Sequence, residues 1–178
     1  GRREKNWGIC ANEFGGYNHK AKQRFSYSMR FAICGGLLVD RRGRRFMNEQ
    51  YMSDQPLSLG GEMTLRAGVY YAVLDRAMYE GILRAQTLYE YYGRPEDWYV
   101  GKTTHDRPAP GQENMEQAIK EGYALRCDTL NEAAETWGLT ELKQSVEAYN
   151  RACEMQKDEL FGKASFLLKP VKQAPFYV

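Results

Sequence analysis

The chain has 178 residues, 43% of them hydrophobic, which is enough to bury the core of one domain or of two small ones. Its 25 basic and 23 acidic residues are well mixed and leave a net charge of only +2, so we expect no nucleic-acid partner. No apolar run approaches the roughly 20 residues of a membrane-spanning helix, and we find no signal peptide. We therefore expect a soluble protein; its compartment, cytoplasmic or bacterial and exported, stays unknown.

The four cysteines are far apart in the sequence and form no C-x-x-C pair, and only two histidines accompany them. Zinc sites need closely spaced ligands of these types, so we expect no metal site. Buried free thiols are the simpler interpretation for Cys10, Cys34, Cys127 and Cys153.

The first part of the chain predicts strands. Up to about Tyr27 the pattern is weak and indicates a loop with a short strand. Apolar residues then alternate with polar ones from Ser28 to Gly36, which favours a strand. A β-hairpin comes next, in which Leu37 to Val39 form one strand, Asp40 to Gly43 the turn, and Phe46 part of the second strand.

The middle of the chain predicts a strand between two helices. A helix is expected from near Gly61 to just before Gly68. An apolar run then forms a strand that ends at Asp75, which caps a helix extending to about Ala85. The stretch from Thr87 to Gly111 is rich in tyrosine and proline, and we interpret it as either a self-packed loop or an insertion over a groove.

The C-terminal third predicts an αα-hairpin. A helix from Glu113 to Tyr123 and a short strand at 125–128 come first. A capping box at Thr129 and Glu132 then begins a helix that Gly138 ends. A further helix opens at Thr140, and its apolar residues recur at steps of three and four: Leu142, Val146, Tyr149 and Cys153. An apolar strand-like segment, 176–178, ends the chain.

Two groups of motifs carry a family resemblance. The string G-G-L-L-V-D-x-x-G-R-R-F-M-N-E, from Gly35 to Glu49, resembles the signature of the flavoprotein subunits of the fumarate reductase and succinate dehydrogenase superfamily. That superfamily includes urocanate reductases and 3-ketosteroid dehydrogenases. T-L-x-E-A-A, V-x-x-Y-N, K-D-x-x-F-G-K, L-x-P and P-F-Y come later in the chain, in the family's order, so the matched regions cover about half of the chain.

The resemblance implies a fold and a place in a larger protein. It implies an α+β fold, a small mixed sheet with packed helices, in which residues 1–178 form a capping domain that closes as a lid over a flavin. The chain starts at Gly1 without a methionine and ends at an apolar Val178, so we expect a fragment of a longer flavoprotein. No G-x-G-x-x-G follows a strand, so FAD would be bound by a flanking domain of the same parent chain, the expected partner.

The resemblance also assigns candidate site residues. In fumarate reductases an arginine four residues after the glutamate of the motif donates the proton, and here that position is Ser53. A neutral serine is a poor proton donor and cannot clamp a dicarboxylate, and the family's acid and base upstream fall on Met29 and Ala32. Tyr51 is the nearest replacement acid, although it could simply pack at the edge of the lid.

Other residues near this position receive weaker assignments. Arg30, Ser53 and Asp54 are candidate substrate-binding residues, but Arg30 could be solvated or ion-paired and Asp54 could cap the next segment of the chain. The motif residues Gly43, Arg45, Phe46, Asn48 and Glu49 are expected to be structural, with Arg45 paired to Glu49. The arginines at 41, 42, 44 and 45 form a basic tip, which is more often solvated than bound to phosphate.

The sequence therefore predicts the capping domain of an FAD-dependent reductase or dehydrogenase, inactive when isolated. The parent enzyme would act on a C–C bond next to a carbonyl or carboxylate of a small-molecule substrate other than fumarate. The competing hypothesis is a non-catalytic module that binds a ligand or protein through the aromatic stretch Thr87–Gly111.

Overall fold

A computed structural model of the chain describes residues 31, 36–54, 59–85, 91 and 111–178, with the side chains of residues 53 and 54 not described. The α+β class predicted from the sequence is confirmed. In chain order the elements are β1 (Leu37–Asp40), α1 (Tyr51–Asp54), α2 (Gly61–Ala67), β2 (Tyr70–Val73), α3 (Arg76–Arg84), α4 (Gln112–Lys120), β3 (Arg126–Cys127), α5 (Leu130–Trp137), α6 (Leu142–Glu154), a 3₁₀ turn (Ser165–Leu167) and β4 (Phe176–Tyr177).

The strands form two antiparallel pairs. β1 pairs with β2, with Leu38 opposite Ala72, and β3 pairs with β4. A bridge between Leu74 and Tyr177 joins the two pairs. A mixed sheet was expected, but within the described ranges every strand pairing is antiparallel.

The β1–β2 ribbon separates two apolar clusters because successive side chains of a strand point to opposite faces. Leu37 and Val39 belong to the main core, which also contains the buried faces of α3, α5 and α6. Leu38 lies on the other face with Met47 and Met52. We call this second group, with the half-buried residues packed on it, the methionine cluster: Leu38, Phe46, Met47, Tyr51, Met52, Met63, Tyr70 and Ala72.

The turn after β1 differs from the predicted hairpin. Gly43 has a φ of 86°, and a Cβ there would lie 2.6 Å from the backbone nitrogen of Leu142, so only glycine fits. The expected second strand is reduced to one bridge between Val39 and Arg45. The chain leaves the ribbon at this point because the Arg45 side chain turns inward to Glu49, and the actual partner of β1 is β2.

The strand predicted for residues 28–36 is wrong at Phe31. Alternation assigned Phe31 to a strand, yet its backbone is helical, and short apolar runs do not distinguish a strand from a buried helix. The Phe31 ring lies 5.7 Å from that of Tyr79 in the main core. The rest of 28–35, apart from this residue, lies outside the described ranges, as does the aromatic stretch 87–110 apart from Tyr91.

The helix predictions are confirmed with small changes at their ends. The Asp75 side chain accepts a hydrogen bond from the Met78 amide and caps α3. Thr129 caps α5 through the Glu132 amide, but Glu132 reaches back to the Asp128 amide and not to Thr129, so only half of the capping box forms. Helix α6 begins at Leu142, two residues after the predicted Thr140.

Candidate functional site

Helix α1 carries Tyr51 at the end of a tight turn that follows the motif. The Asn48 side-chain oxygen accepts a hydrogen bond from the Gln50 amide at 3.0 Å, which fixes the turn. The Tyr51 amide donates to the Asn48 carbonyl, and the Met52 amide donates to the Glu49 carbonyl. Asn48 and Glu49 are both buried, so the start of α1 is held from inside the protein.

The methionine cluster forms the surroundings of Tyr51. Met47 and Met52 are each 1% exposed, and the half-buried Tyr51 packs against the cluster that they form with Leu38. The ring of Phe46 lies 6.2 Å from that of Tyr70 in a tilted arrangement. Thioether side chains adapt to the shape of their neighbours, so the two buried methionines suit the packing of the irregular set of rings in this cluster.

Beside β1 lies a buried group of charges that we call the ion network: Arg45, Glu49, Asp158, Lys163 and Tyr149. The Arg45 guanidinium donates to both carboxylate oxygens of Glu49, at 2.8 and 2.7 Å, and to Asp158 at 2.8 Å. The Lys163 ammonium lies 3.3 Å from a Glu49 oxygen and donates to the Tyr149 hydroxyl at 3.0 Å. The four charged side chains are at most 6% exposed.

Further hydrogen bonds and ring contacts complete the ion network. The Leu38 amide donates to Glu49, and the amides of Phe161 and Lys163 donate to Asp158. The Arg45 guanidinium lies 4.9 Å from the Tyr149 ring and 4.8 Å from the Phe161 ring, within the range of cation–π attraction. The network therefore ties β1 and the motif to the loop that follows α6.

The charges of the ion network keep one another ionised. Burial opposes ionisation of the Glu49 carboxyl, but Lys163 and Arg45 outweigh it and lower its pKa. Burial likewise opposes ionisation of Asp158, and the hydrogen bond from Arg45 lowers its pKa. The pKa of Lys163 is raised, because attraction to Tyr149 and Glu49 exceeds the effect of burial. A network with this balance is suited to holding structure and not to releasing protons near neutral pH.

The basic tip is not one uniform patch. Arg45 points into the ion network, whereas Arg41, Arg42 and Arg44 are exposed. Arg42 pairs with Glu141 at 2.6 Å, and Arg44 pairs with Asp40 at 3.2 Å. The Asp40 side chain also accepts hydrogen bonds from the Arg42 and Arg44 amides. The paired carboxylates lower the positive charge that the basic tip could offer a phosphate.

The structure places only part of the predicted site. The backbones of Tyr51, Ser53 and Asp54 share helix α1, and Tyr51 packs on the methionine cluster. Arg30 lies outside the described ranges, as do the side chains of Ser53 and Asp54. The roles assigned to these four residues therefore remain predictions. The ion pair between Arg45 and Glu49 is present.

Three residues were missed by reasoning from the sequence alone. Asp158 and Lys163 complete the ion network, and the signal that points to them is the K-D-x-x-F-G-K string, which was used only as a family match. The third is Tyr70. Its hydroxyl is buried, and its position in an apolar strand does not predict that burial.

Two other predictions concern buried free thiols and membrane-spanning helices. Cys127 and Cys153 are free and buried, whereas Cys10 and Cys34 lie outside the described ranges. Within the described part of the chain, no helix is both long and apolar enough to cross a membrane.

Comparison with known proteins gives no match to a family model. The curated proteins that are similar in sequence include two oxidoreductases. The chain is 42% identical over 67 residues to an NADH:acrylate oxidoreductase of Vibrio harveyi, covering 36% of this chain and 7% of that protein. It is 27% identical over 160 residues to an NADH:fumarate oxidoreductase of Klebsiella pneumoniae (strain 342), covering 88% of this chain and 14% of that protein. The chain thus spans a small part of either relative.

The solved structures that share the fold include two chains with TM-scores above 0.5. One is 3-ketosteroid-Δ4-(5α)-dehydrogenase from Rhodococcus jostii RHA1 in complex with 4-androstene-3,17-dione, with a TM-score of 0.53 and 21% identity over 83% of this chain and 25% of that one. The other is the open conformation of a flavocytochrome c3 fumarate reductase, with a TM-score of 0.52 and 17% identity over 86% of this chain and 21% of that one.

These relatives confirm the resemblance to the fumarate reductase superfamily that the two groups of motifs predicted. The solved structures show the same fold. The chain is therefore an oxidoreductase-related domain.

Proposed function

We propose that this chain is the substrate-capping domain of an FAD-dependent oxidoreductase that reduces or dehydrogenates a C–C bond next to a carbonyl or carboxylate. The observation that carries the proposal is the position of Tyr51. It follows the family motif directly, on a short helix held by buried Asn48 and Glu49, and its ring lies on an apolar cluster. The curated relatives support the reaction class, because one is named an oxidoreductase of acrylate and the other an oxidoreductase of fumarate.

The described residues do not fit FAD by themselves. Dinucleotide-binding turns use glycine between a strand and a helix so that phosphate can approach the backbone. Here β2 leads into α3 through Asp75, and β3 leads into α5 through Asp128 and Thr129. A carboxylate at that point repels phosphate. We therefore assign FAD to a flanking domain of the parent chain.

The part of this chain in the reaction would be to cover the substrate, exclude water and supply a proton. A phenol hydroxyl has a proton to donate and carries no charge, so Tyr51 suits a neutral carbonyl or a single carboxylate. Arg30, Ser53 and Asp54 are proposed to contact the substrate. Serine at position 53 lacks the charge that would hold the second carboxylate of fumarate.

The test is a substrate panel on the full-length flavoprotein that contains this chain. Reduced methyl viologen would serve as the electron donor, and acrylate, cinnamate, 4-hydroxycinnamate and fumarate as acceptors. We expect kcat/KM for at least one monocarboxylate to exceed that for fumarate by about tenfold or more, because fumarate leaves one carboxylate without a cation.

Three results would contradict parts of the proposal. One is a preference for fumarate, which would refute the substrate class. Another is a full complement of bound FAD with no turnover of any C=C acceptor, which would favour the non-catalytic module. A tight stoichiometric FAD complex of residues 1–178 alone would refute the division of roles between the two domains.

A further inference from the structure

Two consecutive residues just before Tyr51 reach the same segment of the chain, the loop that follows α6. The Gln50 side-chain oxygen accepts a hydrogen bond from the Ala164 amide at 3.2 Å, and we call this bond the loop contact. The Glu49 carboxylate lies 3.3 Å from the Lys163 ammonium. The turn that leads into α1 is therefore held by a segment that lies 114 positions further along the chain.

Helix α1 depends on such contacts because it is too short to be stable by itself. It has only four residues, Tyr51–Asp54, and isolated helices shorter than about 12 residues are marginal in water. The amides of Tyr51 and Met52 donate to backbone carbonyls of the turn before the helix. The Gln50 amide donates to the Asn48 side chain in that turn, so Gln50 belongs to the turn through its backbone and to the loop contact through its side chain.

We propose that Gln50 is a positioning residue: its side chain holds α1 against the loop after α6 and thereby fixes where the Tyr51 hydroxyl lies. The inference rests on the proposed function, in which Tyr51 donates a proton to the substrate. A proton donor has to lie within about 3 Å of the atom that receives the proton. A displacement of α1 therefore lowers the rate even when Tyr51 itself is intact.

Gln50 can be changed without disturbing the ion network. Glu49 shares its carboxylate between Arg45 and Lys163, so its removal weakens the whole network. Gln50 is half-buried and carries no charge. Replacement by methionine keeps the length of the side chain and removes the amide oxygen, whereas replacement by glutamate keeps an oxygen that can accept from the Ala164 amide.

The experiment measures kcat and hydrogen exchange in the full-length flavoprotein. The forms compared are the wild type, Gln50→Met, Gln50→Glu and the matched control Gln112→Met, which removes an exposed hydrogen bond to Glu116 on the surface of α4. Tyr51→Phe, alone and combined with Gln50→Met, completes a double-mutant cycle. Mass spectrometry follows amide exchange in the peptides that contain α1 and the loop after α6.

We expect Gln50→Met to lower kcat for the preferred acceptor about tenfold and to speed exchange of the α1 amides about tenfold, because the loop contact is lost. Gln50→Glu should keep both quantities within about threefold of the wild type. Gln112→Met should change neither. In the Tyr51→Phe background, Gln50→Met should lower kcat by less than about twofold, since no proton donor is left to position.

Two outcomes would overturn the inference. One is unchanged exchange of the α1 amides in Gln50→Met, which would mean that the loop contact does not hold the helix. The other is an equal loss of kcat from Gln50→Met with and without the Tyr51 hydroxyl, which would mean that Gln50 does not act through Tyr51.

Failure of the proposed function has a separate signature. Tyr51→Phe would then turn over like the wild type, while Gln50→Met would still speed exchange of the α1 amides. That result would refute the positioning role of Gln50 in catalysis and leave the loop contact as a structural feature of the turn.

Discussion

The two edges of the β1–β2 ribbon hold buried polar groups in different ways. Along β1, the Glu49 carboxylate accepts hydrogen bonds from Arg45 and from the Leu38 amide and lies 3.3 Å from the Lys163 ammonium. Along β2, the Tyr70 hydroxyl is equally hidden from solvent but has no partner in the described structure. A closed network fixes the ribbon on one side, and an unused hydrogen-bond donor remains on the other.

The difference bears on stability. Removing one member of a closed network leaves charges buried and unpaired, which is costly. Removing a buried hydroxyl that has no partner removes its desolvation penalty and should stabilise the folded protein. Substitutions on the two edges should therefore have opposite consequences for stability, and the largest effect is expected in the ion network.

Glu49→Ala should cause the largest loss in the free energy of unfolding. It removes one of the two carboxylates that pair with Arg45 and the carboxylate next to the Lys163 ammonium, at a cost of about 3–5 kcal/mol in the free energy of unfolding. The matched control is Glu62→Ala, which removes an exposed pair with Arg66 and should cost less than about 0.5 kcal/mol. Urea unfolding measures both, and equal costs would contradict the importance of the network.

Gly43→Ala tests whether the turn that presents Arg45 is as constrained as its geometry indicates. The added methyl group meets the Leu142 backbone at a positive φ, so we expect a loss of about 3 kcal/mol. Gly138→Ala has a similar φ of 72° with open space around it and should lose only about 1 kcal/mol. Thermal unfolding of the two variants separates the steric contact from the backbone strain, and a Gly43→Ala loss no larger than that of Gly138→Ala would refute the contact.

A pair of tyrosine-to-phenylalanine substitutions compares the two edges directly. Tyr149→Phe removes the hydroxyl that accepts from the Lys163 ammonium and should destabilise the protein by about 2 kcal/mol. Tyr70→Phe removes the unpaired hydroxyl and should stabilise it by about 0.5–1 kcal/mol. The sign of the change in chemical-denaturation midpoint distinguishes the edges, and a destabilised Tyr70→Phe would show that this hydroxyl has a partner.

Acidification should reduce the free energy of unfolding that the ion network provides, by less than the substitutions in that network do. The pKa values of Glu49 and Asp158 are lowered in the folded protein, so their contribution is complete above the unfolded pKa of about 4 and is lost as the pH falls towards the folded values. At pH 3.5 the loss is at most about 1 kcal/mol for Asp158 and slightly more for Glu49, relative to pH 7. Glu49→Gln should lose less stability than wild type over this interval, and an identical loss would exclude Glu49 as a contributor.

Local patterns in the sequence were sufficient for some elements but not for others. The Asp75 cap, the αα-hairpin and the apolar stripe of α6 depend on neighbours within four residues, so periodicity and capping chemistry predict them. The partner of β1 could not be predicted in the same way. A turn next to the strand suggested a local hairpin, whereas β2 lies some thirty residues further along the chain.

The candidate site shows the same limit. Arg45 and Asp158 are 113 residues apart, and no periodicity connects them. The ion network could be found only once the loop after α6 had been placed beside the motif. Tyr51 was identified through the resemblance and not through its own pattern, and its role remains a prediction.

The most direct test of the proposed function is the turnover of Tyr51→Phe in the full-length flavoprotein. Tyr79→Phe is the matched control, because Tyr79 packs in the main core, where its ring stacks on Tyr177 at 4.0 Å. We predict that Tyr51→Phe lowers kcat for the preferred acceptor by about 10²-fold or more with unchanged FAD content, since general acid catalysis contributes that much. Tyr79→Phe should keep the wild-type kcat. Unchanged turnover in Tyr51→Phe would contradict the assignment of the proton donor.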